Sequence, residues 1–316
     1  MAPDIDIIIP CLNCGPFLTQ ALQSVWDQQG DFTIHQVLVV NDRSDDPQTS
    51  ALLDELRQSD RIRVLDNAGP KGAAAARNTG LRASSAEWVI FLDGDDLLTH
   101  DSIQQRIEVL STHPGIGWIG GDITVIDVDG KPEEESFFRS RARPREFLRA
   151  AWSADQAVKF PKPVSMFINV CVSQVGAGMI RRELIERVGG FREDLLQAED
   201  YQLWIRLAAI TDFAFLPRTL LLYRQHGAST MASDIPPRFW TIKAFKQLRV
   251  EPMFTQYRKL INGRISHFYL ENAHYFVRKE QLGSAVKAYL HSFLKAPNLR
   301  APLGLLGLLA RPFRKR

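Results

Sequence analysis

The stretch "WVIFLDGDDLL", Trp88 to Leu98, joins a run of apolar residues to three aspartates. An uninterrupted apolar run of this kind is typical of a strand that is buried on both faces, as in a parallel sheet. Three other short apolar runs precede it, at Ile5–Ile9, Gln36–Val40 and Arg61–Leu65. The sequence therefore predicts four short strands, the last of which ends at the aspartates.

Helical patterns separate these four runs. Apolar residues recur at helical spacing over Phe17–Gln28 and over Gln48–Gln58, and the alanine-rich segment Gly72–Leu81 has a high helix propensity. Strands and helices thus alternate at intervals of about 25–30 residues, which is the pattern of right-handed crossovers in a parallel sheet. We expect an α/β fold.

Beyond Leu98 the pattern is less regular. The expected elements are a strand or hairpin over Trp118–Val128, a helix near Arg145–Trp152, a strand over Phe167–Met179, and helices over Arg182–Val188 and Asp200–Ala209. The polar, arginine-rich segment Lys131–Pro163 shows no other clear element. The second half of the domain is therefore predicted in less detail than the first.

Charge divides the 316 residues into two parts. From Ile235 onward there are 16 Lys and Arg against 3 Asp and Glu, whereas the preceding part has 23 against 33. Pro236 and Pro237 lie where the balance changes. We therefore expect one domain over residues 1–234 and a basic helical region over residues 235–316.

The composition favours a cytoplasmic protein. Three cysteines are too few for a disulfide framework, so we expect a reducing compartment. The first residues lack the pattern of a signal peptide. No apolar stretch approaches the roughly 20 residues that a membrane-spanning helix needs.

Polar residues follow each of the four predicted strands. In a parallel sheet the carboxyl ends of the strands form the ligand-binding edge. Seven carboxylates are expected at that edge: Asp42, Asp45, Asp46, Asp66, Asp93, Asp95 and Asp96. Helix capping accounts for Asp45 and Asp46, but not for the three aspartates of residues 93–96, which repel one another. A divalent cation, Mg²⁺ or Mn²⁺, bound together with substrate phosphates would offset their charge; a solvated acidic turn is the alternative.

Other phosphate and aspartate sites fit the sequence less well. No P-loop pattern occurs, and the first strand is not followed by the glycines of a dinucleotide site. Leu97 stands where an EF-hand needs its next ligand. Phosphatases that form an aspartyl phosphate also place D-x-D after an apolar strand, but they usually have a small hydroxyl or branched residue at the position of Leu97. That class remains a weaker alternative.

Cys11 and Cys14 form a C-x-x-C pair, which raises the alternatives of a redox centre and a zinc site. A redox pair normally begins a helix whose N-terminus lowers a thiol pKa, but Gly15 and Pro16 separate Cys14 from the predicted helix. Zinc needs two more ligands, and the remaining cysteine, Cys171, has no partner at the usual spacing. Both alternatives are therefore disfavoured.

Seven motifs, in order, resemble the family 2 glycosyltransferases, which are inverting nucleotide-sugar transferases of the GT-A fold. They lie between Ile5 and about Ser229 and read "IIIPCLN", "VVNDRSDD", "NAGPKGAAAARNTGL", "FLDGDD", "GAGMIRRELIERVGGF", "QAEDYQLW" and "YRQHGAST". The resemblance implies a Rossmann-like, mostly parallel sheet flanked by helices, followed here by a C-terminal helical appendage.

The resemblance also implies roles for individual residues. It assigns the nucleotide to Pro10, Leu12, Asn13, Asp42, Arg77 and Asp93. It assigns the divalent metal to Asp93, Asp95 and His226, with Asp96 close by. It makes Asp200 the general base, with the charge of Glu199 beside it raising its pKa; Glu199 as the catalytic base is the alternative. Arg77 could equally pair with an acid of the edge, His226 could equally be structural, and the two acids could equally serve the dipole of their helix.

The expected function is metal-dependent, inverting transfer of a sugar to a hydroxyl group. A UDP-sugar is the commonest donor of the family, and the implied acceptor is a glycan or a lipid-linked glycan of cell-surface polysaccharide synthesis. The alternative from another class is a catalytically silent protein that binds a nucleotide sugar or acts as a scaffold in membrane glycan machinery.

The C-terminal region suggests a contact with a membrane surface. Phe268–Arg278 and Ser284–Leu294 have the pattern of a helical hairpin, and the segment "APLGLLGLLA" over residues 301–310 precedes a basic cluster. Such a segment suits an anionic membrane, here the cytosolic face; a helix packed on the rest of the protein is the alternative. Nucleic acid is not an expected partner, because the basic region lacks an aromatic-interleaved platform.

Overall fold

The computed structural model describes residues 2–225 and 235–309. The chain divides into two compact units, residues 1–229 and 230–316. We call the first the N-terminal unit and the second the C-terminal unit.

The described residues of the N-terminal unit form ten strands in one sheet. They are β1 (Asp4–Cys11), β2 (Thr33–Asn41), β3 (Ile62–Asp66), β4 (Trp88–Phe91), β5 (Leu97–Leu98), β6 (Trp118–Ile126), β7 (Pro132–Glu134), β8 (Val158–Phe160), β9 (Met179–Arg181) and β10 (Phe213–Arg224). The helices of the same described residues are α1 (Pro16–Trp26), α2 (Pro47–Leu56), α3 (Ala73–Ala83), α4 (Ser102–Thr112), α5 (Phe137–Ser140), α6 (Ala142–Phe147), α7 (Arg149–Ala154), α8 (Val164–Asn169), α9 (Arg182–Arg187) and α10 (Glu199–Ile210).

The sheet has the order β3-β2-β1-β4-β9-β6-β10-β5. Strands β3, β2, β1 and β4 are parallel, as the alternation of strands and helices predicts. Strand β9 runs antiparallel to both β4 and β6, and β10 is parallel to β6. Strand β7 pairs with β6, and β8 pairs with β10. The predicted α/β fold is confirmed, and the half of the sheet beyond β4 is mixed.

Strand β1 is buried on both faces. On one face Ile7 and Ile9 belong to a core cluster that includes Leu18 of α1. On the other face Ile8 meets α3, where a Cβ atom at Gly80 would lie 2.4 Å from Cγ2 of Ile8. The absence of a side chain at Gly80 lets α3 approach the sheet closely, and α3 carries one of the predicted site residues.

The predicted strand over Phe167–Met179 is wrong. The structure has helix α8 there, followed by a loop and the short strand β9. Phe167 of α8 packs against Trp118 and Phe213, with ring centroids 4.7 and 5.2 Å away. A short helix buried in this way has the same apolar run as a buried strand, so periodicity does not separate the two. The segment Lys131–Pro163, with one expected helix, contains β7, α5, α6, α7 and β8.

The described residues of the C-terminal unit are helical. They form α11 (Phe239–Val250), a 3₁₀ helix (Pro252–Tyr257), α12 (Arg258–Arg278), α13 (Leu282–Lys295) and α14 (Arg300–Leu309). Helices α12 and α13 form the predicted hairpin, and Ala301 of α14 joins its core. Gly304 also faces the hairpin, because a Cβ atom there would lie 2.4 Å from the ring of Tyr289. Within residues 2–225 and 235–309, no helix is both long and apolar enough to cross a bilayer.

Candidate active site

The carboxyl ends of β1, β2 and β3 lie level at one edge of the sheet. Cys11 of β1 pairs with Asn41 of β2, and Asn41 pairs with Asp66 of β3. Strand β4 ends nearby, since its Phe91 pairs with Ile8 of β1. The loops that follow these four strands therefore share one edge, as the sequence predicts.

A buried arginine joins two of the predicted acidic residues at this edge. Nη2 of Arg77 donates to Oδ1 of Asp93 at 2.6 Å, and Nη1 donates to Oε1 of Glu199 at 2.8 Å. The Arg77 side chain is 4% exposed, against 27% for Asp93 and 11% for Glu199. One guanidinium thus connects α3, the loop after β4 and the start of α10. The structure shows that Arg77 pairs with acids of this edge, which was one of the two alternatives that the sequence left open for it.

Loss of the Arg77 side chain should destabilise the N-terminal unit. We expect Arg77→Ala to lower the free energy of unfolding by about 3–5 kcal/mol, because removing one member of a buried ion pair leaves charge without compensation. Denaturant unfolding measures this change. The control is Arg57→Ala, whose ion pairs with Asp54 and Asp66 are exposed and should contribute less than about 1 kcal/mol. Equal effects of the two variants would contradict the role given to Arg77.

Asp200 lies in the first turn of α10, next to Glu199. Its Oδ1 atom accepts a hydrogen bond from the backbone N–H of Tyr201 at 2.6 Å. Burial raises the pKa of Asp200 to about 7, and the charge of Glu199 acts in the same direction, whereas Arg77 opposes both. A carboxylate whose pKa lies near neutral pH is suited to accept a proton in a reaction.

The loop after β4 is fastened to the end of β10. Asp96 is 1% exposed and accepts a hydrogen bond from the backbone N–H of Arg224 at 2.9 Å. The guanidinium of Arg224 donates to the carbonyl oxygens of Asp95 and Val128, at 2.9 and 2.8 Å. Burial raises the pKa of Asp96 well above its usual range, and the charges of Asp95 and Asp93 act in the same direction.

The oxygen ligands of this loop fit a divalent cation. After burial, the charges of Asp95 and Asp93 contribute to the raised pKa of Asp96, and a cation would offset that part of the shift. Asp93 and Asp95 supply carboxylate oxygens, which Mg²⁺ and Mn²⁺ prefer. Across the described residues no group of three His, Cys, Asp or Glu side chains is arranged to hold a metal. In proteins Mg²⁺ commonly binds one or two carboxylates and keeps water and substrate phosphates as its other ligands. The third predicted ligand, His226, lies outside the described residues.

Asn13 joins the loop after β1 to the loop after β2. Its Oδ1 atom accepts hydrogen bonds from the backbone N–H groups of Asp45 and Asp46, at 2.9 and 3.1 Å. Its Nδ2 atom donates to Oδ1 of Asp45 at 2.7 Å. Asp46 caps α2 by accepting from the backbone N–H of Thr49 at 2.7 Å. The capping prediction is confirmed for Asp46 and wrong for Asp45, which pairs with Asn13 instead. The neighbouring Leu12 is 39% exposed.

Asp42 is buried, with 2% of its surface exposed. One carboxylate oxygen accepts from Nδ2 of Asn67 at 2.5 Å, and the other accepts from the backbone N–H of Gly72 at 2.7 Å. Both oxygens thus bind the loop that leads into α3. A bond from Asp42 to a base or ribose would have to replace one of these contacts or share an oxygen with it, so this role stays a prediction.

Cys14 packs the loop after β1 against the loop after β4, whereas Cys11 is the last residue of β1 and belongs to the apolar core. Both thiols are free, and a hydrogen bond with the Cys14 thiol lowers the pKa of Cys11. A Cβ atom at Gly94 would lie 2.6 Å from Sγ of Cys14 and 3.2 Å from the carbonyl oxygen of Pro10. Only glycine permits this close approach without movement of the loops. The pair therefore has a packing role at the edge where the nucleotide is predicted.

Three residues close to the site were not predicted. Arg224 and Phe191 occur within motifs of the resemblance but received no role; the Phe191 ring centroid lies 5.4 Å from the guanidinium carbon of Arg77. Cys171 gave no signal in the sequence. Burial raises the pKa of its thiol, and the charge of Asp200 adds to that effect. The loop between α8 and β9 therefore lies near the predicted base.

Comparison with known proteins places these features in a family. The model of glycosyl transferase family 2 matches residues 6–188. EpsJ of Bacillus subtilis, an uncharacterized glycosyltransferase, is 26% identical over 244 residues, which is 75% of this chain and 64% of EpsJ. The match thus spans slightly less than two thirds of that relative.

Two solved structures are similar to the fold. TarS 1–349 of S. aureus in complex with UDP-GlcNAc has a TM-score of 0.67 at 16% identity, over 93% of this chain and 82% of that one. The mannosyltransferase PcManGT from Pyrobaculum calidifontis, in complex with GDP-Man and Mn²⁺, has a TM-score of 0.59 at 20% identity, over 98% and 80%. At these identities the likeness concerns the fold, and the predicted GT-A fold is confirmed. Because the family model covers more than half of its residues, this chain is a member of glycosyl transferase family 2.

Proposed function

We propose that this chain is an inverting glycosyltransferase that moves a sugar from a nucleoside diphosphate to a hydroxyl group, with Asp200 as the general base. The observation that carries the proposal is the arrangement of acids at the sheet edge, where Arg77 joins Glu199 to Asp93 and Asp200 lies next to Glu199 in the first turn of α10. Burial and the charge of Glu199 raise the pKa of Asp200 there. A buried acid with a raised pKa beside a specific charged partner favours a catalytic site over a silent binding domain.

The proposed reaction is one displacement at the anomeric carbon of the sugar. The acceptor oxygen forms a bond to this carbon while the bond from the carbon to the diphosphate oxygen breaks. The hydroxyl proton passes to the carboxylate of Asp200, and the electron pair of the broken bond leaves with the nucleoside diphosphate. Attack from the face opposite the leaving group inverts the anomeric configuration.

The proposed donor site is formed by the loops at the sheet edge. Its predicted nucleotide contacts are Pro10, Leu12, Asn13, Asp42, Arg77 and Asp93. Asp93 and Asp95, with His226 as a further ligand, would hold Mn²⁺ or Mg²⁺, which when bound stabilises negative charge on the leaving diphosphate. The solved complex of PcManGT with GDP-Man and Mn²⁺ supports the use of a divalent metal with a nucleotide sugar.

Thermal shift against a panel of nucleotides tests the donor class. The panel is UDP, GDP, dTDP, CMP and ADP, each with and without Mn²⁺, because TarS was solved with UDP-GlcNAc and PcManGT with GDP-Man. A ligand that binds the folded state alone raises the apparent stability by mass action. Stabilisation by one nucleoside diphosphate that depends on the metal supports the proposal. No stabilisation by any nucleotide would favour the scaffold alternative.

The pH dependence of transfer should report the base. Asp200 must be ionised to accept a proton, so we expect kcat/KM to fall as the pH drops through about 7, the pKa of Asp200. The charge of Arg77 lowers this pKa, so in Arg77→Ala the acidic limb should move to higher pH. Initial rates between pH 5 and 9, at saturating metal, give the pH profile of kcat/KM for the wild type and for Arg77→Ala. A limb that stays in place in Arg77→Ala would contradict this assignment.

We further propose that the acceptor is a glycan or lipid-linked glycan at the cytosolic face of a membrane, and that α14 contacts the lipid. Leu303 and Leu306 of α14 are 65% and 61% exposed, and the residues after position 310 are rich in arginine and lysine. An exposed apolar face beside basic residues suits an anionic interface.

Binding to anionic vesicles tests the membrane contact. We expect the double variant Leu303→Ser, Leu306→Ser to lower the affinity for phosphatidylglycerol vesicles by about tenfold or more, because two leucines lose their burial in the interface. Val250→Ser is the control, since Val250 is 66% exposed on another helix of the same unit. Equal binding by the double variant and the wild type removes α14 from the proposal.

A further inference from the structure

A groove with a cavity volume of about 440 Å³ lies between α11, α12 and α13 of the C-terminal unit. Phe239, Ile242, Phe276 and Ala288 contribute its apolar lining. Phe239 is 47% exposed, so part of this apolar surface is in contact with solvent. Exposed aromatic surface within a concave site is typical of a place where an apolar ligand binds. We call this site the lysine groove, after the basic residues described next.

Three lysines, Lys243, Lys246 and Lys287, line the same groove, and none of the described residues that line it is acidic. Aromatic rings support the basic groups. Nζ of Lys246 lies 5.6 Å from the ring centroid of Tyr269, and His291 stacks on the same ring with centroids 5.0 Å apart. A cluster of ammonium groups at an apolar site attracts a ligand that is anionic at one end.

The positive charge of the groove favours some candidate ligands over others. The end of this chain, with Arg311, Arg314, Lys315 and Arg316, would meet like charges there. A phosphodiester headgroup has one negative charge, whereas a diphosphate has two or more and suits three lysines better. Inorganic diphosphate alone would leave the apolar lining without a partner. The best match is therefore a molecule with one apolar chain that ends in a diphosphate.

We propose that the lysine groove binds the lipid diphosphate carrier of the acceptor, with the diphosphate at the lysines and part of the apolar chain along the lining of Phe239 and Phe276. This inference rests on the proposed function in one respect, the identification of the bound lipid diphosphate as the carrier of the acceptor. Binding of a lipid diphosphate in the groove does not depend on it. The residues that recognise the lipid would thus differ from those predicted to contact the nucleotide.

Calorimetric titration of the full-length chain with farnesyl diphosphate, below its micelle concentration, tests the inference. We expect the double variant Lys246→Glu, Lys287→Glu to bind the probe about tenfold or more weakly, because two attractive charges become repulsive. The matched control is Lys259→Glu, Lys279→Glu, which changes the net charge equally at exposed positions outside the groove. Lys246 and Lys287 are also exposed, so neither pair of substitutions removes buried packing.

Three competitors identify what the groove recognises. If farnesol binds as tightly as farnesyl diphosphate, the lysines do not recognise phosphate. If inorganic diphosphate binds as tightly as farnesyl diphosphate, the apolar lining contributes nothing to binding. If soluble dihexanoyl phosphatidylglycerol binds as tightly as farnesyl diphosphate, the groove is a phospholipid site. Each of these outcomes overturns the inference, as does equal weakening by the control pair.

Titration with the nucleoside diphosphate separates this inference from the proposed function. Farnesyl diphosphate binding without nucleotide binding or sugar transfer would remove the proposed function and leave the groove. Nucleotide binding and sugar transfer without farnesyl diphosphate binding would remove the groove as a lipid site and leave the proposed function. Nucleotide affinity should be the same in the wild type and the double variant, because Lys246 and Lys287 are not among the residues predicted to contact the nucleotide.

Discussion

Asp200→Asn should lower kcat by about 10²–10⁴-fold, the range that a general base contributes, while the nucleotide donor still binds. The amide has nearly the shape of the carboxylate but does not take a proton from the acceptor. Initial rates give kcat, and thermal shift with the nucleoside diphosphate and Mn²⁺ gives donor binding. Full turnover by this variant would refute the assignment of the base.

Stability provides an internal control for this variant. The pKa of Asp200 is raised to about 7 in the folded protein, so stability falls as the pH rises from the ordinary pKa of an aspartate to about 7, and above that pH the full cost of the buried charge is present. Asn carries no charge, and the variant should therefore be at least as stable as the wild type at pH 8. Lost activity in a more stable protein is not a consequence of unfolding.

Glu199→Gln separates the two neighbouring acids. The charge of Glu199 raises the pKa of Asp200, so its removal should move the acidic limb of kcat/KM to lower pH while transfer continues. If Glu199 were the base, this variant would instead lose transfer at every pH, and Asp200→Asn would retain it. The two pH profiles together assign the base.

Asp95→Ala should abolish the metal-dependent stabilisation by the nucleoside diphosphate. At a ligand concentration of 100 times Kd, the wild type should gain about 2.7 kcal/mol of stability. The variant should gain almost nothing, because one of the two predicted carboxylate ligands of the metal is lost. Thermal shift with and without Mn²⁺, at equal nucleotide concentrations, measures the difference.

Asp60→Ala is the matched control for Asp95→Ala, since Asp60 is exposed and lies before β3, outside the predicted site. It should keep the full response to nucleotide and metal. A response in Asp95→Ala equal to that of Asp60→Ala would show that this carboxylate does not hold the metal.

The parallel half of the sheet could be predicted because each strand there is a separate apolar run followed by a helical pattern. The mixed half could not, because strand β9 has three residues and pairs with Trp88 and Val89, far away along the chain. A strand so short has no measurable period, and its place depends on tertiary contacts.

The gathering of acids at one edge of the sheet, and an ion pair of Arg77 with one of them, could be anticipated from the sequence, but the full set of their partners could not. Nothing in the segment around Arg77 indicates that it contacts both Asp93 and Glu199. The role of Arg224 likewise depends on where β10 ends relative to the loops after β4 and β6. Side-chain contacts between separate segments follow from the packing of the whole domain, which local sequence does not specify.

The bond between Arg77 and Glu199 also constrains how the protein folds. It joins residues 122 positions apart, so the loop that it closes contains most of the mixed half of the sheet. Contacts of such long sequence separation form late, since the chain must lose much of its freedom before they contribute. The centre of the site is thus completed only when both halves of the sheet have come together. A refolding N-terminal unit should regain its helices before it regains the ability to bind a nucleotide.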